Sequence, residues 1–222
     1  MTFSEALHLR PGVSAIIGGG GKTTLLRRLG EELSQNGTVL LCTTTKIYPF
    51  PDLPCAHSRE ELAALRNTGR LLSAGTPLED SGKLTAPPIP MAELAAQFDY
   101  VLVEADGSAG RPLKAHAPHE PVIPPEADQT ILVLGTSGLG RPILEAAHRP
   151  ALYARLAGAG EADAATPERA AKVLLAEALH TRIFINQTET AARLAAARTL
   201  GRLLDCPVAA GSARKGDIQC LF

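Results

Sequence analysis

Ile16-Ile17-Gly18-Gly19-Gly20-Gly21-Lys22-Thr23-Thr24 is the stretch on which the fold of this chain turns. Glycines running into Lys-Thr suggest a phosphate-binding loop. The usual spacing, G-x-x-x-x-G-K-[ST], would need a glycine where Ile16 stands. The physics of such a loop does not fix its length. Consecutive backbone N–H groups curl around an anion, and glycines reach the angles this demands. The next helix aims its free N–H groups and positive dipole end at the same anion. A lysine then reaches the outer phosphates, and the following hydroxyl meets Mg²⁺. All the parts stand here in order. The apolar run 13–17 leads in, Gly18, Gly19, Gly20 and Gly21 turn, Lys22 is the cation and Thr23 the metal hydroxyl, with Thr24 beside it. Helix follows at once, with Leu25, Leu26, Leu29 and Leu33 on one face. The alternative is a glycine-rich hinge.

Read this way the loop is G-x-x-G-K-T-T, which resembles the shortened loop of the Mur ligases, proteins that bind ATP. Outward from it, short β-rich runs at 38–42, 100–103, 130–134 and 182–185 alternate with helical segments. Each run is bounded by turn residues and suits a strand buried on both faces. Thr166 as N-cap and Pro167 at the first helical position open a helix to about 179. Another runs from about 189 to 204. The Ala-rich segment 151–178 reads as helix, since Ala is the best helix former. The expected fold is α/β: a P-loop NTPase-like, mostly parallel sheet flanked by helices in a Rossmann-like three-layer arrangement. One domain is expected over 1–222, with an irregular Pro-rich elaboration at about 48–90, including a short helix at 60–65 and a strand at 71–74.

A phosphate cradle needs an acidic partner for Mg²⁺ at the end of another buried strand. The run 100–103 ends in Glu104 and then Asp106, which makes Glu104 a metal ligand and Lys22, Glu104 and Asp106 the catalytic candidates. Thr43-Thr44-Thr45 closes the second strand at the same edge, where Thr45 could meet Mg²⁺ or the γ-phosphate, or be an ordinary Thr-rich strand end. A late strand runs into Asn186-Gln187-Thr188-Glu189, an echo of the base-holding N-K-x-D of many P-loop NTPases. Asn186 braces loops, and Gln187 and Glu189 lie near the base. The lysine that packs on guanine is absent, so ATP is expected ahead of GTP. Ser212, in a late S-A-R loop, could brush the base. The Pro-bearing segment 106–124 carries Arg111 and Lys114, candidates for a second anionic group on a substrate. His116 and His119 are spaced for metal on a helix, but Pro118 separates them, so solvated loop histidines are expected. His116 remains a candidate acid or base toward substrate.

Composition narrows the classes. A net charge of -1 and 4% aromatics with no Trp give no case for nucleic acid or an anionic membrane. Cys42, Cys55, Cys206 and Cys220 form no C-x-x-C pair, which suits scattered cytosolic thiols. No apolar run is long enough to span a bilayer, and a cytoplasmic protein is expected.

Taken together, G-G-G-G-K-T-T, T-T-T-K-I, E-A-D-G-S-A-G-R-P-L-K and I-N-Q resemble the YqeC-type proteins, from Gly18 to about Gly216, with 104–114 the most specific part. Lys46 stands where many relatives are expected to have His, and no role is assigned to it. The resemblance implies a P-loop nucleotide-binding protein acting in maturation of selenium-dependent molybdenum hydroxylases, with ATP or GTP and Mg²⁺ as cofactors and such a hydroxylase as a partner. Three functions stay open: phosphoryl or nucleotidyl transfer (or ATP-driven activation) on a small substrate, a nucleotide-gated switch acting on a partner enzyme, and a structural protein with a degenerate site.

Overall fold

A computed structural model describes residues 1–221. The buried runs form a nine-stranded sheet. Its strands are β1 (Gly12–Gly18), β2 (Val39–Thr43), β3 (Cys55–Ala56), β4 (Leu71–Ala74), β5 (Tyr100–Glu104), β6 (Ala127–Gly135), β7 (Arg182–Asn186), β8 (Val208–Ser212) and β9 (Asp217–Cys220). They lie in the order β9-β8-β7-β6-β1-β5-β2-β4-β3. Every neighbouring pair is parallel except β8 and β9. β1 therefore sits inside the sheet between β6 and β5, and Ile16 pairs with Glu104 across it.

Side chains alternate between the two faces of a strand, and that alternation builds the layers. Ile16 packs with Leu25, Leu26 and Leu29 of α2 (Lys22–Leu33) and with Phe3 of α1 (Phe3–Ala6). Its neighbours Ala15 and Ile17 point the other way, to α5 (Ile143–Ala146), α6 (Pro150–Ala157), α7 (Pro167–Glu177) and α8 (Ala191–Gly201). Farther along that second face Val13, Leu40, Val101 and Val103 pack under α3 (Arg59–Leu65) and α4 (Met91–Ala95). The result is the expected three-layer α/β sandwich. Among the described residues no helix is long and apolar enough to cross a membrane.

Several elements depart from the sequence reading. The Ala-rich segment is two helices, not one. α6 stops because Gly158 takes a left-handed cap at φ 66°, and α7 starts at the expected Thr166–Pro167 cap, where the Thr166 side chain accepts the Arg169 N–H. The Pro-rich region 48–90 is more regular than its composition suggests. Beside the expected strand at 71–74, which is β4, it supplies β3 to the main sheet and a small hairpin of Thr76–Leu78 with Lys83–Thr85. β9 has no apolar run to announce it, because it is an outer strand with exposed ends at Asp217 and Cys220 and only half-buried residues between them.

Gly18 has φ 95°, and a Cβ there would lie 2.3 Å from the Val133 carbonyl oxygen. Strand β6 leaves no room to relax. Gly18→Ala is expected to destabilise the fold by about 1–3 kcal/mol, read as a lower urea midpoint at constant slope. An unchanged midpoint would show that β1 and β6 can move apart.

Candidate functional site

The glycine loop spans the gap between the end of β1 and the start of α2, at the edge where the parallel strands end. Open α/β sheets bind ligands at that edge. Three neighbours hold the loop. The Gly18 N–H donates to Asp106 Oδ2 at 2.8 Å, and the Gly19 N–H donates to the Val133 carbonyl at 2.9 Å. Asn186, ending β7, donates from Nδ2 to the Gly20 carbonyl at 2.8 Å, while its Oδ1 accepts from the N–H groups of Gln187 and Ala213. Asn186 thus ties the loop to the ends of β7 and β8. A fourth support comes from segment 106–124. A Cβ on Gly19 would meet the Arg111 carbonyl at 2.5 Å, so this segment lies directly behind the loop.

Lys22 is buried and turned inward. Its Nζ donates to the Gly18 carbonyl at 2.7 Å and lies 3.0 Å from Asp106 Oδ1 and 3.9 Å from Glu104 Oε1. Thr23 is exposed at the helix start and donates its hydroxyl to Glu104 Oε2 at 2.7 Å. Glu104 ends β5, and its carbonyl accepts the Thr43 hydroxyl. The two carboxylates stand in different electrostatic surroundings. Burial pushes Glu104 upward and nearby Asp106 adds to this, with Lys22 and Thr23 only partly opposing. Burial also works against Asp106, but the His116 hydrogen bond, the Lys22 and Lys114 charges and the Gly18 N–H outweigh it and hold its carboxyl low.

Behind Asp106 runs a buried chain of polar groups. His116 Nε2 lies 2.8 Å from Asp106 Oδ2, and its Nδ1 lies 2.8 Å from Glu177 Oε2 at the end of α7. Burial lowers the proton affinity of the ring, but two carboxylates raise it further, and the net shift is upward. With a carboxylate oxygen at each nitrogen, the surroundings favour the protonated ring. His116 is therefore a core residue and not the solvated loop histidine expected, while His119 is exposed. Lys114 is likewise buried, 3.3 Å from Asp106 Oδ2 and 3.4 Å from Glu120 Oε2, and does not face an open anion site. Arg111 is exposed and donates to the Glu145 carbonyl.

A cleft of about 450 Å³ opens in front of Lys22, Thr23 and Glu104. Across Gly20, Gly21, Thr24 and Gln187 it meets a second hollow of about 710 Å³, walled by Asn186, Glu189 and Ser212. Glu189 accepts the Ser212 hydroxyl at 2.7 Å and pairs with Arg193 at 3.3 Å. Gln187 sits at φ 67° and turns its amide oxygen toward the Ser137 N–H. Thr45 stands apart: its hydroxyl faces Thr43 at 3.3 Å, and Lys46, Ile47 and Tyr48 form that wall of the cleft instead. Among the described residues no group of three His, Cys, Asp or Glu side chains could hold a metal by itself. Sequence reasoning missed Glu177, whose partner is 61 positions away. It also missed Lys83, which lines the cleft from the hairpin.

Comparison with known proteins agrees with the motif resemblance. The pattern of the family described as YqeC protein matches residues 14–151. The YqeC protein of Escherichia coli (strain K12) is 35% identical over 163 residues, covering 67% of this chain and 62% of that protein. The chain thus aligns to less than two thirds of that relative's length. Among solved structures, FlhF complexed with GMPPNP/Mg(2+) superposes with a TM-score of 0.48 at 15% identity, covering 96% of this chain and 70% of that one. With the family pattern covering most of the sheet and the whole of the glycine loop, this chain belongs to the YqeC family.

Proposed function

We propose that this protein binds a Mg²⁺–nucleoside triphosphate, ATP ahead of GTP, and uses it to transfer a phosphoryl or nucleotidyl group to a small substrate or to activate one. The observation that carries this reading is the convergence at one sheet edge of a glycine loop, Lys22 and the Thr23–Glu104 pair. The loop and the N-terminus of α2 offer N–H groups to phosphate oxygens, and Lys22 supplies the fixed positive charge.

The donor set suits Mg²⁺. A hydroxyl and a carboxylate from two different elements meet in the cleft beside the loop, and Mg²⁺ takes one or two carboxylates with phosphate and water completing its shell. Thr23 and Glu104 would hold the ion. Once bound, Mg²⁺ neutralises charge on the phosphate oxygens. Lys22 must leave the Gly18 carbonyl and turn into the cleft to meet them. Asp106 then keeps the loop in shape through the Gly18 N–H. Asn186 and Ser212 brace the hollow where the base lies. ATP is favoured because Gln187 stands where the N-K-x-D lysine would and faces Ser137, and the Glu189 carboxylate is already engaged by Ser212 and Arg193, while Lys215 lines the hollow from the Ser212 loop. The YqeC resemblance supports cofactor maturation of a selenium-dependent molybdenum hydroxylase as the setting. A cytoplasmic location and a single domain fit this reading.

One observation favours a second reading, a nucleotide-gated switch. Lys22, Asp106, His116 and Glu177 form an unbroken buried chain from the phosphate loop to the end of α7. Moving Lys22 onto a phosphate would unload one end of that chain. Turnover raised by a small-molecule cofactor intermediate supports the enzyme; turnover raised by a partner hydroxylase and by no small molecule supports the switch.

Lys22→Ala should weaken Mg–ATP binding about ten- to a hundredfold, the worth of a charge-assisted contact to phosphate. Unchanged affinity by calorimetry would remove the cradle assignment. In direct competition ATP should displace GTP; tighter GTP binding would reverse the base preference. A third measurement concerns His116. Its folded-state proton affinity is raised, so its stabilising contribution is complete below about pH 6.5 and is lost as pH rises through the higher folded value. His148 and His180 shift the opposite way, both lowered chiefly by burial. Urea stability should therefore fall more steeply above neutrality in the wild type than in His116→Asn or Glu177→Gln. Equal slopes would mean that the ring is not an imidazolium.

A further inference from the structure

The wall of the cleft opposite the phosphate loop is built from two short extended segments. Ile47 and Leu84 exchange backbone hydrogen bonds of 3.0 and 2.8 Å in an antiparallel bridge. Both side chains are 4% exposed and anchor the bridge in the core. Alternation along an extended chain then fixes the other face. Lys46 and Tyr48, flanking Ile47, and Lys83, beside Leu84, turn outward and line the cleft together with Lys22, Thr23 and Glu104. In antiparallel register Tyr48 stands opposite Lys83, and Lys83 Nζ lies 4.8 Å from the Tyr48 ring centroid. Tyr48 is 65% exposed, high for a large aromatic side chain beside a cleft.

The charge balance differs on the two walls. On the loop side Lys22 is answered by Asp106 and Glu104. On the hairpin side neither Lys46 nor Lys83 has a carboxylate partner within ion-pair distance among the described residues. Two cations without an ion-pair partner, carried by a core-anchored bridge and lining a polar cleft, give that wall a local positive charge. Arg111 and Lys114, the anion-binding candidates of the sequence, are directed elsewhere.

We propose that Lys46 and Lys83, set by the Ile47–Leu84 bridge, form the subsite for the second substrate of this cleft, a small molecule bearing a phosphate or carboxylate group. The Tyr48 ring holds Lys83 in place. The proposal rests on the nucleotide reading, since the anion is placed to face the phosphate end of a bound triphosphate. It adds the class of substrate that the nucleotide acts on.

The test uses the full chain saturated with Mg²⁺ and a non-hydrolysable ATP analogue, so that the γ-phosphate position is filled. Inorganic phosphate is titrated in one arm and acetate in the other, followed by NMR at the amides of residues 46–48 and 83–85. One of the two anions should bind, and the arm that responds identifies phosphate- or carboxylate-bearing substrates. In the Lys46→Ala/Lys83→Ala double variant that anion should bind at least about tenfold more weakly, while affinity for the analogue stays within about twofold. Lys83→Ala alone should show part of the loss. Equal anion affinity in wild type and double variant, or no binding in either arm, overturns the subsite. A parallel fall in analogue affinity overturns it too, because it assigns the lysines to the nucleotide. Failure of the nucleotide reading shows differently: the wild type does not bind the analogue, and the anion titration, run on the protein alone, still reports on the lysine pair.

Discussion

A buried carboxylate holds the glycine loop, its lysine and the segment behind them in one piece. Asp106 is 1% exposed, and its two oxygens face the Gly18 N–H, Lys22, Lys114 and the His116 ring. A lone buried carboxylate would be strongly unfavourable. Here three cations and a backbone donor surround it, and Glu104, Glu120 and Glu177 in turn balance those cations. The network is closed on itself: removing a member leaves an opposite charge buried without an answer, which is the costly way to break such a cluster. Segment 106–124 is consequently not a mobile substrate loop. Asp106, Lys114 and His116 pin it against the glycines, and the Gly135 N–H holds it at the Pro112 carbonyl.

Much of the fold could be read from local pattern because the central strands carry their own signal. β1, β5, β6 and β7 are apolar on both faces, and that burial follows from their place inside a parallel sheet. The loop was legible for a related reason: Gly18, Gly20 and Gly21 adopt positive φ, which the sequence marks by glycine. Elements at the rim were not legible. β3, β9 and the 76–85 hairpin are short and partly exposed, so no periodicity marks them.

The site divides in the same way. Lys22, Thr23, Glu104 and Asp106 follow from strand ends and spacing, and the structure links them in one series, Thr23 to Glu104, Glu104 to Lys22 and Lys22 to Asp106. His116 was visible as a residue but misread as to environment. Its burial depends on Glu177, delivered by a helix far along the chain. Lys114 was misplaced for a parallel reason, since its charge is absorbed by Asp106 and Glu120. A loop rich in proline and polar residues ordinarily reads as solvated. Here its polar groups are the complement of a buried carboxylate, and only the three-dimensional count of charges shows it.

That count also separates the two acids of the Glu104-Ala105-Asp106 turn. They are two positions apart and carry the same functional group, yet their surroundings push them in opposite directions. Asp106 Oδ2 meets the Gly18 N–H, Lys114 and His116, and Oδ1 has the Lys22 charge at 3.0 Å, so its charge is answered from within the protein. Glu104 has one hydroxyl on Oε2 and a lysine no nearer than 3.9 Å from Oε1, and it lines the open cleft. A divalent cation arriving with a triphosphate would relieve the like-charge and burial penalties on Glu104, whereas the Asp106 carboxyl is already held low by its His116, Lys22 and Lys114 neighbours. Of two neighbouring carboxylates, the one less well satisfied by the protein is the one suited to an incoming ion.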